Sequence, residues 1–300
     1  MPVYNSEESL GELLRRLVPA LEGATSRFEV VLVNDGSRDG SWRRIGELSR
    51  ADARVRGIDL MRNYGQHNAL LCGIRAARYD VIVTIDDDLQ NRPEDIVRLL
   101  DTLEEGYDVV YGTPATDAHG LWRALASRMT KIALQSTMGA QTARKVSAFR
   151  VFRTALRDAF REYRSPFVSI DVLLTWATSR FTSVTVPNDP RTIGQSTYSL
   201  RKLVTHALNM MTGFSVLPLQ LASIIGFACT LFGVGVLVYV VGRYLLQGTT
   251  LPGFPFLASV IAIFSGAQLF ALGVIGEYLA RMHFRMMERP PYAVRDRSPQ

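Results

Sequence analysis

Lysine is nearly absent from this chain. Lys131, Lys145 and Lys202 are the only three in 300 residues, so the formal net charge of +6 rests on arginine. Cysteine is as scarce: Cys72 and Cys229 lie in segments of different character, which excludes a disulfide framework and fits a reducing compartment. His67 has no second histidine at metal-ligand spacing, which leaves it a helix-start residue rather than a ligand. No secretory leader pattern opens the chain. Charge itself vanishes along one stretch, for between Ala207 and Gly276 the only charged side chain is Arg243.

What is present falls into two parts. Residues 1 to about 206 mix charged and apolar side chains as a soluble domain does. Phe28–Val33, Val81–Ile85 and Val109–Tyr111 are short apolar runs rich in β-branched residues, each stopped by a polar or glycine turn, and they read as buried strands. Helical spacing fills the gaps, through Leu10, Leu13, Leu14, Leu17 and Leu21 in one case and over Pro93–Leu103 in another. Alternating strands and helices predict an α/β domain with an open, mostly parallel sheet. Ligands of such sheets bind at the carboxyl ends of the strands. Met1-Pro2-Val3-Tyr4-Asn5 has the character of a strand-to-loop junction, and the expectation is a first strand lacking several residues.

The second part is apolar. Phe214–Leu246 and Phe254–Gly276 each supply the ~20 residues that cross a bilayer. Arg201, Lys202 and His206 precede the first; Arg281, Arg285 and Arg289 follow the second. Positive charge on both flanks and an uncharged connector predict both termini in the cytoplasm, with Arg243 able to snorkel outward. Leu200–Met211 has the pattern of an amphipathic helix lying at the interface. The expected divisions are a catalytic-type domain at 1–199, an interfacial helix at 200–213, a two-helix membrane unit at 214–280 and a cytoplasmic tail at 281–300. Gly226, Gly233, Gly235, Gly266 and Gly273 would allow close helix approach and self-association. Glu277, at the end of the second apolar stretch, reads as an anchoring or contact residue.

The strongest local signal is Asp86-Asp87-Asp88-Leu89-Gln90, directly after a buried strand. Adjacent carboxylates there suit a hard divalent cation, Mg²⁺ or Mn²⁺, beside a bound diphosphate. As a bare triplet it is equally a solvated acidic turn. Asn34-Asp35-Gly36-Ser37 is a second tight turn, with Gly36 permitting close backbone approach.

Taken with Pro2–Glu8, Arg62-Asn63-Tyr64-Gly65-Gln66-His67, Asn91-Arg92-Pro93-Glu94, Gly276–Arg281 and Arg289-Pro290-Pro291-Tyr292, these turns resemble glycosyltransferase family 2, in its polyprenyl-phosphate branch. The resemblance implies a Rossmann-like GT-A fold and transfer of a sugar from a nucleotide diphosphate carrier, uridine ahead of guanosine, to polyprenyl phosphate. It implies roles position by position. Pro2, Tyr4 and Glu8 match a nucleoside-contacting loop, Asp35 the acid that reads the base, and Asp86 the nucleotide-side acid. Asp88 and Gln90 match the metal pair, and Arg123 and Ser127 the grip on the acceptor phosphate. Arg191, Ser196 and Tyr198 match a loop closing over the donor diphosphate, and Arg150 an arginine in the Phe-Arg element before it. It also implies membrane lipids as surroundings, a homo-oligomer such as a tetramer, and no nucleic-acid partner.

Departures are equally visible. Thr197 stands where the family has lysine, and Pro114 where relatives carry arginine nearby. Arg144-Lys145-Val146-Ser147 occupies the stretch where an acid often precedes the Phe-Arg element. Two rivals remain at this point. A processive polysaccharide synthase would need a Gln-x-x-Arg-Trp motif, which is missing; a non-catalytic nucleotide-sugar-binding scaffold would have no need of Asp86, Asp88 and Gln90.

Overall fold

The computed structural model describes residues 1–114, 146–187, 189, 217–247 and 253–298. The first part is an α/β domain whose strands form two four-stranded sheets, and the second is a pair of long helices.

The first sheet runs β1 (Pro2–Val3), β2 (Val30–Asn34), β3 (Val55–Leu60) and β8 (Val294–Arg297). β1, β2 and β3 are parallel, joined through α1 (Ser9–Ala24) and α2 (Ser41–Ala51), and β8 closes the edge antiparallel to β3. The second sheet has the order β4 (Val81–Thr84), β6 (Arg150–Arg153), β5 (Val109–Pro114), β7 (Phe181–Val186). Here β6 is antiparallel to both neighbours, while β5 and β7 are parallel. The sheet is therefore mixed rather than mostly parallel. Side-chain pattern reports burial but not direction, and an antiparallel strand can enter without the helical crossover that a parallel one requires. A cavity of about 620 Å³ lies between β2 and β4, beside the two-residue β1.

The leucine stripe is the face that α1 buries: Leu10, Leu13, Leu14, Leu17 and Leu21 all leave water, and Leu10, Leu14, Leu17 and Leu21 pack with Val3, Leu32, Ile85 and Val110 in one core drawn from both sheets. Each such side chain contributes about 2 kcal/mol by leaving water. Pro93–Asp95 forms a single tight 3₁₀ turn leading into α4 (Ile96–Glu104), in keeping with proline's fixed φ. α3 (Gln66–Ala76) buries Leu70, Leu71 and Ile74, and α5 (Ile170–Ala177) buries Ile170, Leu173 and Leu174 beside them.

α6 (Leu217–Gln247) and α7 (Phe254–Met286) contain stretches, Pro218–Leu246 and Ile263–His283, long and apolar enough to cross a membrane, and neither is buried in the protein. They pack on each other where Gly233 faces the Phe264 ring; a Cβ there would lie 2.9 Å from it. Arg243 turns back to its own helix and donates to the Tyr239 hydroxyl at 3.2 Å. α7 ends at Met286, three residues past its apolar stretch, and the last turns of that stretch carry a Glu277–Arg281 ion pair at 2.7 Å. Part of the expected tail is thus helix, and Val294–Arg297 returns to the first sheet as β8. The interfacial helix expected at 200–213 lies outside the described residues.

Candidate active site

The carboxyl ends of β1, β2, β3 and β4 converge, and the site is built from the loops that leave them. After β1 the chain turns through Tyr4 and Ser6 into α1; Pro2 is buried in the strand, whereas Tyr4 and Glu8 are exposed. The Ser6 hydroxyl donates to Asp87, fixing this loop to the acidic turn after β4.

Asp35 follows β2 and is buried. Its two oxygens accept the backbone N–H groups of Tyr64 at 2.7 Å and Gly65 at 2.8 Å. Burial raises its pKa, and those two bonds oppose the rise. Gly36 has φ +65°, and a Cβ there would lie 2.5 Å from the backbone of Arg62 and Asn63. Only glycine admits that approach, so the loops after β2 and β3 meet backbone to backbone. Asp35, expected to read a base, thus also shapes the turn beside it.

The acidic turn follows β4. Asp86, Asp87, Asp88 and Gln90 are half-buried, and Leu89 between them adopts φ 60°, a left-handed conformation that costs a branched residue about 1–2 kcal/mol. The buried Leu89 side chain secures the turn. Gln90 N–H donates to the Asp88 carboxylate at 3.1 Å. Gln66, at the start of α3, donates to Asp86 at 2.8 Å. Burial, then the neighbouring charges of Asp88 and Asp87, push the Asp86 carboxyl up to about 6, with Arg150 pulling the other way. Three acids crowded at one turn store a repulsion that a cation would relieve. Among the described residues no cluster of three or more His, Cys, Asp or Glu side chains forms a ready-made metal cage. A carboxylate pair with oxygen donors fits a hard cation that takes its remaining ligands from phosphates and water.

Arg150 does not line an open loop. It lies on β6, paired in register with Thr84 and Tyr111, and is fully buried under the acidic turn. Its guanidinium is ion-paired with Asp171 of α5 and donates to Thr84 Oγ1 at 3.1 Å; the Tyr111 hydroxyl donates to the same Asp171 oxygen at 3.1 Å. Asp171 is a carboxylate that sequence reading missed, because 21 residues separate it from Arg150 and only the fold joins them. Gln66 lies in the Arg62–His67 motif, and the sequence alone gives it no role. His67, as expected, sits in the first turn of α3, where its Nδ1 accepts the Ile170 N–H at 3.4 Å. Asp189 N–H donates to the Gln90 carbonyl at 2.9 Å, and its carboxylate is held by Arg92 at 2.6 Å. Arg123, Ser127, Arg191, Ser196 and Tyr198 lie outside the described residues.

A mixed α/β core that gathers carboxylates where its strand ends converge is the core of a GT-A glycosyltransferase. The chain belongs to glycosyl transferase family 2, whose profile matches residues 1–164. It is 37% identical over 297 residues to the undecaprenyl-phosphate 4-deoxy-4-formamido-L-arabinose transferase of Pseudomonas syringae pv. syringae, covering 98% of this chain and 88% of that one. It is 35% identical to the protein of the same name from Yersinia pestis, covering 98% and 91%. Among solved structures it is similar to glucosyl-3-phosphoglycerate synthase from Mycobacterium tuberculosis, crystallised with Mn²⁺, UDP-glucose and phosphoglyceric acid. That match has a TM-score of 0.52 at 17% identity and covers 70% of this chain and 75% of the other, a likeness of fold.

Proposed function

We propose that this protein transfers a sugar from a nucleotide diphosphate sugar, UDP ahead of GDP, to an undecaprenyl-type polyprenyl phosphate at the cytoplasmic face of the inner membrane. The observation that carries this reading is the turn holding Asp86, Asp88 and Gln90 at the end of β4, joined through Ser6 and Gln66 to the loops after β1 and β3, in a chain that also has two membrane-length helices. The names of the relatives support the acceptor, and the Mn²⁺ and UDP-glucose of the structural neighbour agree with the donor side.

Asp88 and Gln90, with Asp86 beside the nucleotide, would hold Mg²⁺ or Mn²⁺. Bound there, the cation supplies charge neutralisation for the departing diphosphate. The chain's own residues do the rest. Pro2, Tyr4, Glu8 and Asp35 seat the nucleoside. Arg191, Ser196 and Tyr198 close over the donor diphosphate; Asp189, two residues before Arg191, is bonded to Gln90, which supports that placement. Arg123 and Ser127, four residues apart in the sequence, hold the acceptor phosphate with a bidentate guanidinium and a hydroxyl.

A phosphate acceptor is already ionised near neutral pH, so the reaction needs no strong general base and reduces to positioning and electrostatics. Its oxygen attacks the anomeric carbon, the bond to the diphosphate breaks, and the configuration inverts. The buried Asp171, engaged by Arg150 and Tyr111, is not needed as a base. Gly226, Gly235, Gly266 and Gly273 have open space above them, which supports helix-to-helix association of copies into a homo-oligomer such as a tetramer.

The test is a membrane assay with a panel of UDP- and GDP-sugars and undecaprenyl phosphate, reading the lipid-linked product by mass spectrometry. Product from a UDP-sugar with Mg²⁺ or Mn²⁺, lost in excess chelator, is expected; full turnover in chelator overturns the metal role. Arg123→Ala should raise the lipid phosphate requirement and leave nucleotide binding unchanged. The opposite pattern places that segment on the donor side.

A further inference from the structure

The C-terminal strand does more than cover a sheet edge. β8 pairs with β3 at Asp59↔Asp296 and Leu60↔Val294, leaving Arg295 as an extra residue in a β-bulge. A bulge re-aims the side chain it carries. Here Arg295 Nη1 lies 3.3 Å from Asp59 Oδ2, and Nη2 donates to the Met61 carbonyl at 2.7 Å. Asp59 is 2% exposed and faces Asp296 across the strands, so it requires a counter-charge, which Arg295 brings.

From Asp59 the bonds continue inward without a break. Asn34 Nδ2 donates to Asp59 Oδ1 at 2.6 Å, and the Ser37 hydroxyl donates to Asn34 Oδ1 at 2.5 Å. The same Ser37 oxygen accepts the Asn5 N–H at 3.0 Å, and Asn5 Oδ1 accepts the Arg38 N–H at 2.9 Å. One residue further on, Ser6 reaches Asp87 of the acidic turn. Met61, the other end of the Arg295 fork, leads directly into the Arg62–Gly65 turn whose amides hold Asp35.

We propose that β8 is a strap by which the chain leaving the membrane hairpin orders the donor side of the active site, with Arg295 as the positioning residue. Seven residues separate the end of α7 from β8. Along them the segment is tied to the catalytic domain by Glu288 to Arg164 at 3.4 Å and by the Tyr292 ring beneath Arg75 at 5.9 Å. Removing Arg295 leaves Asp59 buried without its cation, and that charge loosens Asn34, Ser37 and the loop from Tyr4 to Glu8 together. The inference rests on the donor reading of those loops; the strap itself is a statement about order that can be measured without nucleotide.

Two readouts on the detergent-solubilised full chain test it. Hydrogen–deuterium exchange compares Arg295→Ala, Arg295→Lys and a control on the same strand, Arg297→Ala. Calorimetry with UDP and Mg²⁺ then measures donor affinity, and initial rates give the lipid requirement. Arg295→Ala is expected to speed exchange at Asn5, Ser37, Arg38, Tyr64 and Gly65, to weaken UDP binding about tenfold, and to leave the KM for undecaprenyl phosphate unchanged. Arg295→Lys, which keeps the charge but not the fork, should recover part of the loss, and Arg297→Ala should show neither effect. Unchanged exchange at those amides, or faster exchange with undiminished UDP affinity, overturns the strap. If the unaltered protein binds neither UDP nor GDP, the donor reading falls and takes the strap's role with it, a failure distinguishable from the others because it appears before any substitution.

Discussion

Gln66 and Asp86 meet across the junction of two loops: the amide at the start of α3 donates to the first carboxylate of the acidic turn at 2.8 Å. The contact orients a crowded acid whose neighbours repel it, and it couples the loop after β3 to the turn after β4. Gln66→Ala should therefore leave the fold intact while raising the donor KM about tenfold, the scale of one hydrogen bond to a charged group. Steady-state rates against donor concentration, with a melting curve as control, check it. A large fall in melting temperature with no change in KM would make the contact structural.

The turn after β2 depends on Gly36. Its positive φ and the 2.5 Å approach to the Arg62–Asn63 backbone leave no room for a Cβ. Gly36→Ala should force the two loops apart, destabilise the protein by about 1–3 kcal/mol and weaken nucleotide binding at the same time. Thermal melting and calorimetry on the same sample report both; a variant unchanged in both would show that the loops can separate without cost.

Asp171 and Arg150 form a buried pair beneath the acidic turn. Asp171→Ala strands a buried guanidinium and should cost about 3–5 kcal/mol, whereas Arg150→Met combined with Asp171→Leu should cost less than either single change. A double variant as unstable as the sum of the singles would mean that Arg150 and Asp171 are not energetically coupled.

Cys72 gives a pH-dependent test. Burial pushes its thiol up to about 11, from an ordinary value of 9.0. Below pH 9 the thiol is protonated whether folded or unfolded, and the shift has no effect on stability. As pH rises from about 9 towards 11 the unfolded chain loses this proton and the folded chain keeps it, so stability falls across that window. In a Cys229→Ser background, alkylation at pH 8 should be at least about a hundredfold slower in the folded protein than after denaturation, the ratio of thiolate populations. Equal rates would contradict the burial.

Much of this protein is legible in its sequence. The leucine stripe of α1, the strands around Val30, Val81 and Val109, the Asp-rich turn at a strand's carboxyl end and the two apolar spans are local patterns, and each was read from period, length or composition. That Asp86, Asp88 and Gln90 share one turn, and that the turn after β2 needs Gly36, is legible for the same reason, since turn chemistry is written in four or five consecutive residues. Strand direction was not. Nothing in Arg150–Arg153 marks β6 as antiparallel, and the expectation of a mostly parallel sheet gave way to a mixed one. Partners distant in sequence were not legible either: Arg150 meets Asp171, Gln66 meets Asp86, and Arg295 returns across 236 residues to Asp59. Local pattern specifies which residues leave water and where the chain turns, because those depend on neighbours a few positions away. Which buried charge meets which counter-charge is decided only when the tertiary fold takes the charge out of water and brings a distant segment to it.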